Sequence, residues 1–200
     1  MGPGVPRPDP RPERGRPPRD AEQLRALLRE AVTATGPCVV RFPKSPAGPE
    51  IARLEGVDGI DVLHRDEAGR RDVLLLACGP SAADAVEAAR QLRARGIGVT
   101  VADPRWVLPV PDAAPDLVRS HDAVVTVEDG CRVAGFGAAL VLACADAGLS
   151  NRIRVLGLPR EFIDHGSRGE LLAEHGLDAP GIVRASLDAL APAHPAERMR

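Results

Sequence analysis

Residues 72–78, Asp-Val-Leu-Leu-Leu-Ala-Cys, constrain the fold of this chain more than any other stretch. An unbroken apolar run of strand length, with no alternating polar positions, has to be covered on both faces, as in the interior of a parallel sheet. Gly79-Pro80-Ser81 ends the run and opens a helix, with Ser81 as a suitable N-cap and Asp84 at the acidic position three residues on. Ala82, Ala85, Val86, Ala89 and Leu92 line one face of that helix, and Gly96 closes it. The alternation continues with strands over 98–102, 123–128 and 153–156 and helices near 134–147, 168–175 and 180–190. Apolar strands alternating with amphipathic helices predict an α/β fold of three layers, with a mostly parallel sheet between helices.

The chain ahead of this alternation reads differently. Residues 1–20 carry seven prolines, three glycines and five arginines, too little apolar surface to offset the entropy of ordering, which predicts a disordered tail. The tail is arginine-rich, but Asp9, Glu13 and Asp20 and the lack of an apolar face argue against a transit peptide. Within 21–44, Leu24, Leu27, Leu28 and Ala31 recur at helical spacing, Gly36-Pro37 stops the helix, and a short strand over 38–41 follows. Residues 45–71 are rich in proline, glycine and charge and read as a connector, with 57–63 its one plausible strand fragment. The main domain then runs over 72–190, and residues 191–200 are expected to fray.

A net charge of -2 and a pI near 6.2 give no electrostatic case for nucleic acid or an anionic membrane surface. No run approaches a membrane span, and no leading segment has a signal peptide's apolar core. Cys38, Cys78, Cys131 and Cys144 form no CxxC pair and have no histidines at ligand spacing, so buried, inert thiols and no metal site are expected. The expected setting is cytoplasmic and reducing.

Three motifs fall beyond the carboxyl ends of strands, where ligands gather in open α/β sheets. Arg105 follows the strand that ends at Asp103, in a loop stiffened by Pro104 and Pro109, and Arg41 ends the earlier strand just before Phe42-Pro43. On the residues alone, two such guanidiniums suit either a phosphate or a pairing with carboxylates such as Asp103. Glu128 and Asp129 precede a glycine-containing helix start, Val133-Ala134-Gly135-Phe136-Gly137. A phosphate cradle is conceivable there, but the two acids would repel an anion and favour a packing or interface role. Asp164-His165-Gly166-Ser167-Arg168 groups Asp, His and Ser without a G-x-S-x-G elbow, which favours a loop capping the next helix through Ser167 over a hydrolase triad; His165 facing a site stays open.

Taken in order, Val40-Arg41-Phe42-Pro43-Lys44, residues 103–109, residues 125–137, Gly157-Leu158-Pro159 and residues 162–168 resemble the carboxy-terminal part of the 1-deoxy-D-xylulose-5-phosphate synthases, in the transketolase family. The resemblance covers roughly 20–190. It implies the transketolase carboxy-terminal domain fold over 72–190, with 21–44 as the last helix and strand of a pyrimidine-binding domain. Such enzymes join pyruvate to glyceraldehyde 3-phosphate on thiamine diphosphate with magnesium, and Arg41 and Arg105 match the two arginines that hold the substrate phosphate. Ala134 departs from the family, which usually has glycine there, and the methyl is expected to crowd the helix start. The family's Gly-Asp-Gly and Asn-Asn cofactor motif is absent, Asn151 being the one asparagine. The resemblance therefore implies no catalytic residue here and no cofactor or metal bound by this chain alone. Two functions follow: part of a synthase completed by the missing domains, or a non-catalytic piece, either a module that dimerises or binds a complete synthase or a truncated gene product inactive alone.

Overall fold

A computed structural model of the chain describes residues 14–191; residues 1–13 of the expected tail and 192–200 of the expected frayed end lie outside the described residues. Strand β1 (Arg14–Arg16), helix α1 (Ala21–Thr33) and strand β2 (Cys38–Val40) come first, with β1 and β2 paired in parallel. A hairpin of β3 (Glu55–Val57) and β4 (Ile60–His64) follows, then β5 (Val73–Ala77), α2 (Ala82–Arg93), β6 (Val99–Pro104) and α3 (Ala114–Arg119). The chain continues through β7 (Ala123–Cys131), α4 (Phe136–Asp146), β8 (Arg152–Leu158), α5 (Arg168–Glu174) and α6 (Ala179–Leu190).

The main sheet has the order β3-β4-β6-β5-β7-β8, parallel from β6 to β8 and antiparallel at the β3-β4 edge. Along β5, Val73, Leu75 and Ala77 join the core beneath α2 and α6, while Leu74, Leu76 and Cys78 join the core beneath α3 and α4. This is the two-faced burial that an unbroken apolar run requires. Leu74, Leu75 and Leu76 are fully buried, and each such side chain stabilises the fold by about 1.5–3 kcal/mol.

Several expectations change. The connector is not all linker, because β4 pairs with β6 and buries Ile60 and Val62. Ser81 sits in a 3-10 turn and makes no side-chain cap to α2. Of the four cysteines, Cys78 and Cys144 are buried but Cys131 is exposed.

The expected disorder does not extend to residue 20, because charge supplied from distant segments orders residues 14–20. Arg19 meets Asp61 of β4 at 2.7 Å, Asp103 of β6 at 3.1 Å and Asp20 at 3.4 Å. Gln23 donates its amide to Asp103 at 2.9 Å, and the Gly79 N–H donates to the same carboxylate at 3.2 Å. Asp20 caps α1 by accepting the Gln23 N–H and also accepts the Ile51 N–H. This clasp holds the first helix onto the main domain through buried polar groups that are mutually satisfied.

Candidate functional site

Strand β5 has β6 on one side and β7 on the other. Successive crossovers therefore leave in opposite directions, and the carboxyl ends of β5 and β7 part to form a crevice, the place where open α/β sheets bind ligands. A cavity of about 190 Å³ lies there. Cys78 and Pro80 line it from the end of β5, Glu128 and Asp129 from β7, and Val107 from the loop after β6; Gly15, Pro17, Val39 and the Arg41-Phe42-Pro43 segment close it from the amino-terminal part.

The strand expected over 123–128 runs on as β7 through Asp129 to Cys131, and its pairing with β8 is irregular between Val127 and Cys131. Glu128 is 8% exposed and accepts the backbone N–H groups of Phe136 and Gly137 at 3.0 Å each. Its carboxylate thus caps α4, whose amino end has positive character. Burial raises the Glu128 pKa; the two N–H bonds and the Arg41 charge oppose that rise. Gly135 has to be glycine for this, because a Cβ would overlap the Glu128 carboxylate and the Cys131 carbonyl oxygen. Ala134 has φ 62, so its cost is a left-handed backbone and not the crowding expected of its methyl.

Asp129 lies between two arginines, with Arg168 donating to it at 2.6 Å and Arg41 forming an ion pair at 3.8 Å. Ser167 caps α5 in a reciprocal capping box with Glu170, which bears out the loop-cap reading of that motif. His165 is exposed in the loop before α5. Its neighbours Asp164 and Gly166 line a separate depression with Asp129 and Arg168, and His165 is not among the residues that line it. Arg105 is paired with Glu30 of α1 and is not among the lining residues of the cavity. Arg41 thus lines the cavity and Arg105 does not. Each has a carboxylate partner, and in neither case is it Asp103, which Arg19 and Gln23 occupy.

The family model described as "Transketolase, C-terminal domain" matches residues 63–182. The chain belongs to the transketolase carboxy-terminal domain family. Its curated relatives include the 1-deoxy-D-xylulose-5-phosphate synthase of Frankia casuarinae, 48% identical over 182 residues, and that of Streptomyces sp. (strain CL190), 49% identical over 174 residues. These matches take in 90% and 85% of this chain but only 28% and 27% of the relatives' lengths. Among solved structures, a split-gene transketolase described as an inactive beta4 tetramer superposes with a TM-score of 0.77 at 28% identity, over 89% of this chain and 57% of that one. Transketolase from Campylobacter jejuni subsp. jejuni NCTC 11168 has a TM-score of 0.66 at 18% identity, over 88% of this chain and 26% of its own, a likeness of fold alone.

Within this transketolase carboxy-terminal domain, the parallel strands agree with the sequence reading. Two features of the site escaped it, the Glu128 cap and the Asp129–Arg168 pair. Glycines seven and nine residues after an acid at a strand end, Gly135 and Gly137 after Glu128, were the available signal for the cap. Asp129 and Arg168 lie 39 residues apart and carry no such local signal. Among the described residues no helix is long and apolar enough to cross a membrane.

Proposed function

We propose that this chain acts as the carboxy-terminal part of a 1-deoxy-D-xylulose-5-phosphate synthase, condensing pyruvate with glyceraldehyde 3-phosphate together with the synthase's remaining domains. The 48% identity to such a synthase over 182 residues carries the reading. It gains support from an exposed guanidinium, Arg41, at the switch-point cavity. Arg41 supplies charge and forked donors to the substrate phosphate and moves no proton. Arg105 joins it by exchanging Glu30 for phosphate, so Arg41 carries the larger share.

Thiamine diphosphate and magnesium belong to the remaining domains in this reading, because the residues here do not fit a diphosphate. The α4 N–H groups beside the cavity are taken by Glu128. Asn151, the single asparagine, donates its amide to the Val118 and His121 carbonyls. A helix start already neutralised by a carboxylate has little to offer a second anion.

The test is synthase activity with pyruvate, glyceraldehyde 3-phosphate, magnesium and thiamine diphosphate, for the chain alone and mixed with separately expressed cofactor-binding domains. Product is expected only in the mixture. In the mixture, Arg41→Ala should lower kcat/KM for the phosphorylated aldehyde about ten- to a hundredfold, the loss of one charged hydrogen bond, and Arg105→Ala less. Equal activity of both variants and the parent would remove the phosphate assignment.

A second reading, a non-catalytic module that self-associates, is favoured by the apolar outer side of α4. There Val141 and Leu142 are 41% and 64% exposed, and Val133 nearby is 55% exposed. The split-gene transketolase solved as an inactive beta4 tetramer is a precedent for such assembly. No product in the mixture, with both parts folded and the chain oligomeric by light scattering, would place this reading first.

A further inference from the structure

Two carboxylates lie near Arg41, and both are engaged elsewhere. Glu128 turns its oxygens to the Phe136 and Gly137 N–H groups at 3.0 Å each. Asp129 accepts a charge-assisted hydrogen bond from Arg168 at 2.6 Å. Arg41 is left with an ion pair at 3.8 Å, beyond hydrogen-bonding distance, and its side chain is 64% exposed at the cavity. We propose that Arg168 is a positioning residue of this site: by pinning Asp129 it keeps that carboxylate from closing on Arg41, whose donors stay available to a phosphate monoester. This rests on the reading of Arg41 as a phosphate ligand and names what keeps it competent.

The local fold suits Arg168 to the task. It is the first residue of α5, and the capping box sets where that helix begins: the Ser167 N–H donates to the Glu170 carboxylate at 3.0 Å, and the Glu170 N–H donates to the Ser167 hydroxyl at 3.3 Å. Asp129 leaves the irregular end of β7, so its direction is set by the bulged strand and by Arg168. A carboxylate hydrogen-bonded to Arg41 would occupy the same forked donors that a phosphate needs. Three separate motifs, around Arg41, Asp129 and Arg168, therefore converge on one chain of charges.

The experiment is an NMR titration of the full 200-residue chain with glycerol 3-phosphate, following the backbone N–H signals of Val39 and Val107, which line the cavity and are unchanged in every variant. Arg168→Ala should raise Kd about five- to tenfold as Asp129 closes on Arg41, and adding Asp129→Asn should restore it to within about twofold. Restoration distinguishes positioning from direct binding, since a phosphate ligand at residue 168 would leave the double variant as weak as the single one. That outcome overturns the proposal. So does an unchanged Kd in Arg168→Ala while Arg41→Ala abolishes binding, which would leave the phosphate reading of Arg41 intact. If Arg41→Ala has no effect, that reading fails and the proposal fails with it.

Discussion

Arg19 and Arg41 both face aspartates, at opposite extremes of solvent access. The Arg19 side chain is 8% exposed against partners that are 6% and 0% exposed, whereas Arg41 is 64% exposed against an aspartate that is 22% exposed. Around Arg19 every charge has another donor or acceptor: Gln23 and Gly79 for Asp103, Arg53 for Asp61 and the Ile51 carbonyl for Arg19 itself. Around Arg41 the neighbouring acids are engaged elsewhere. A buried pair holds only if all its groups are satisfied, so the clasp is committed to structure. An exposed pair contributes little to stability and leaves its donors for a ligand. The same two residue types thus serve architecture in one region and recognition in the other, and burial decides which.

The largest effect should come from the clasp. Arg19→Ala removes the guanidinium that Asp61 and Asp103 share, leaving Asp61 with Arg53 and Asp103 with Gln23 and Gly79, and is expected to cost about 3 kcal/mol, whereas Arg41→Ala should change stability by no more than about 0.5 kcal/mol. Urea denaturation of both variants measures this. If Arg19→Ala yields no folded protein, Arg19→Lys, which keeps the charge but loses the fork, provides the graded comparison. Similar losses at the two sites would break the distinction.

The clasp should also depend on pH. Burial pushes Asp103 up to about 7, against the Gln23, Arg19 and Gly79 donors that lower it. In the unfolded chain this carboxyl loses its proton in the ordinary carboxylate range, while the folded protein keeps it until near pH 7. Fewer protons on the unfolded state make the slope negative, so this stabilisation is complete at acid pH and fades as pH rises through about 7, by up to about 1.4 kcal/mol per unit. His64 and His121, both lowered by burial, act in the opposite direction as the unfolded chain's imidazoles lose protons. The difference between the parent and Asp103→Asn in urea midpoints from pH 5 to 8 isolates the carboxyl. A constant difference across that range would mean that Asp103 is ionised throughout.

The comparison also explains what could be read in advance. Strands β5 to β7 were legible because an apolar run buried on both faces needs no knowledge of its neighbours, and Arg41 was flagged because proline two residues on fixes an extended end. The β3-β4 hairpin looked like connector because its partner, β6, lies about 40 residues further along and its own residues are short of apolar length. Residues 14–20 looked disordered for a similar reason: Arg19 is buried only because Asp61 and Asp103, 42 and 84 residues away, come to meet it. Arg105 was legible as a loop arginine, but Glu30, its partner from α1, was not. Local pattern carries the period of an element; long-range charge pairing leaves no period to read.

The smallest effects sharpen the comparison at the start of α4, where Glu128 is withheld from Arg41. Gly135→Ala would drive a methyl into the Glu128 carboxylate and the Cys131 carbonyl oxygen, and leaving the α4 N–H groups unpaired should cost about 1–3 kcal/mol. Ala134→Gly should do the reverse at the adjacent position. Alanine at φ 62 occupies the left-handed region, which costs an L-residue about 1–2 kcal/mol that glycine avoids. Glycine in turn gives the unfolded chain more freedom, offsetting about 0.4–1 kcal/mol of that gain. The net expectation is a stabilisation of about 0.5–1 kcal/mol, or a Tm rise of about 1–4 °C in a chain of this size. Calorimetry of the two variants decides it. Opposite signs at neighbouring positions would show that residue 134 is limited by its backbone and residue 135 by the carboxylate packed against it. A loss at both would mean that the whole turn is held by side-chain contacts and that the left-handed alanine carries no strain to relieve.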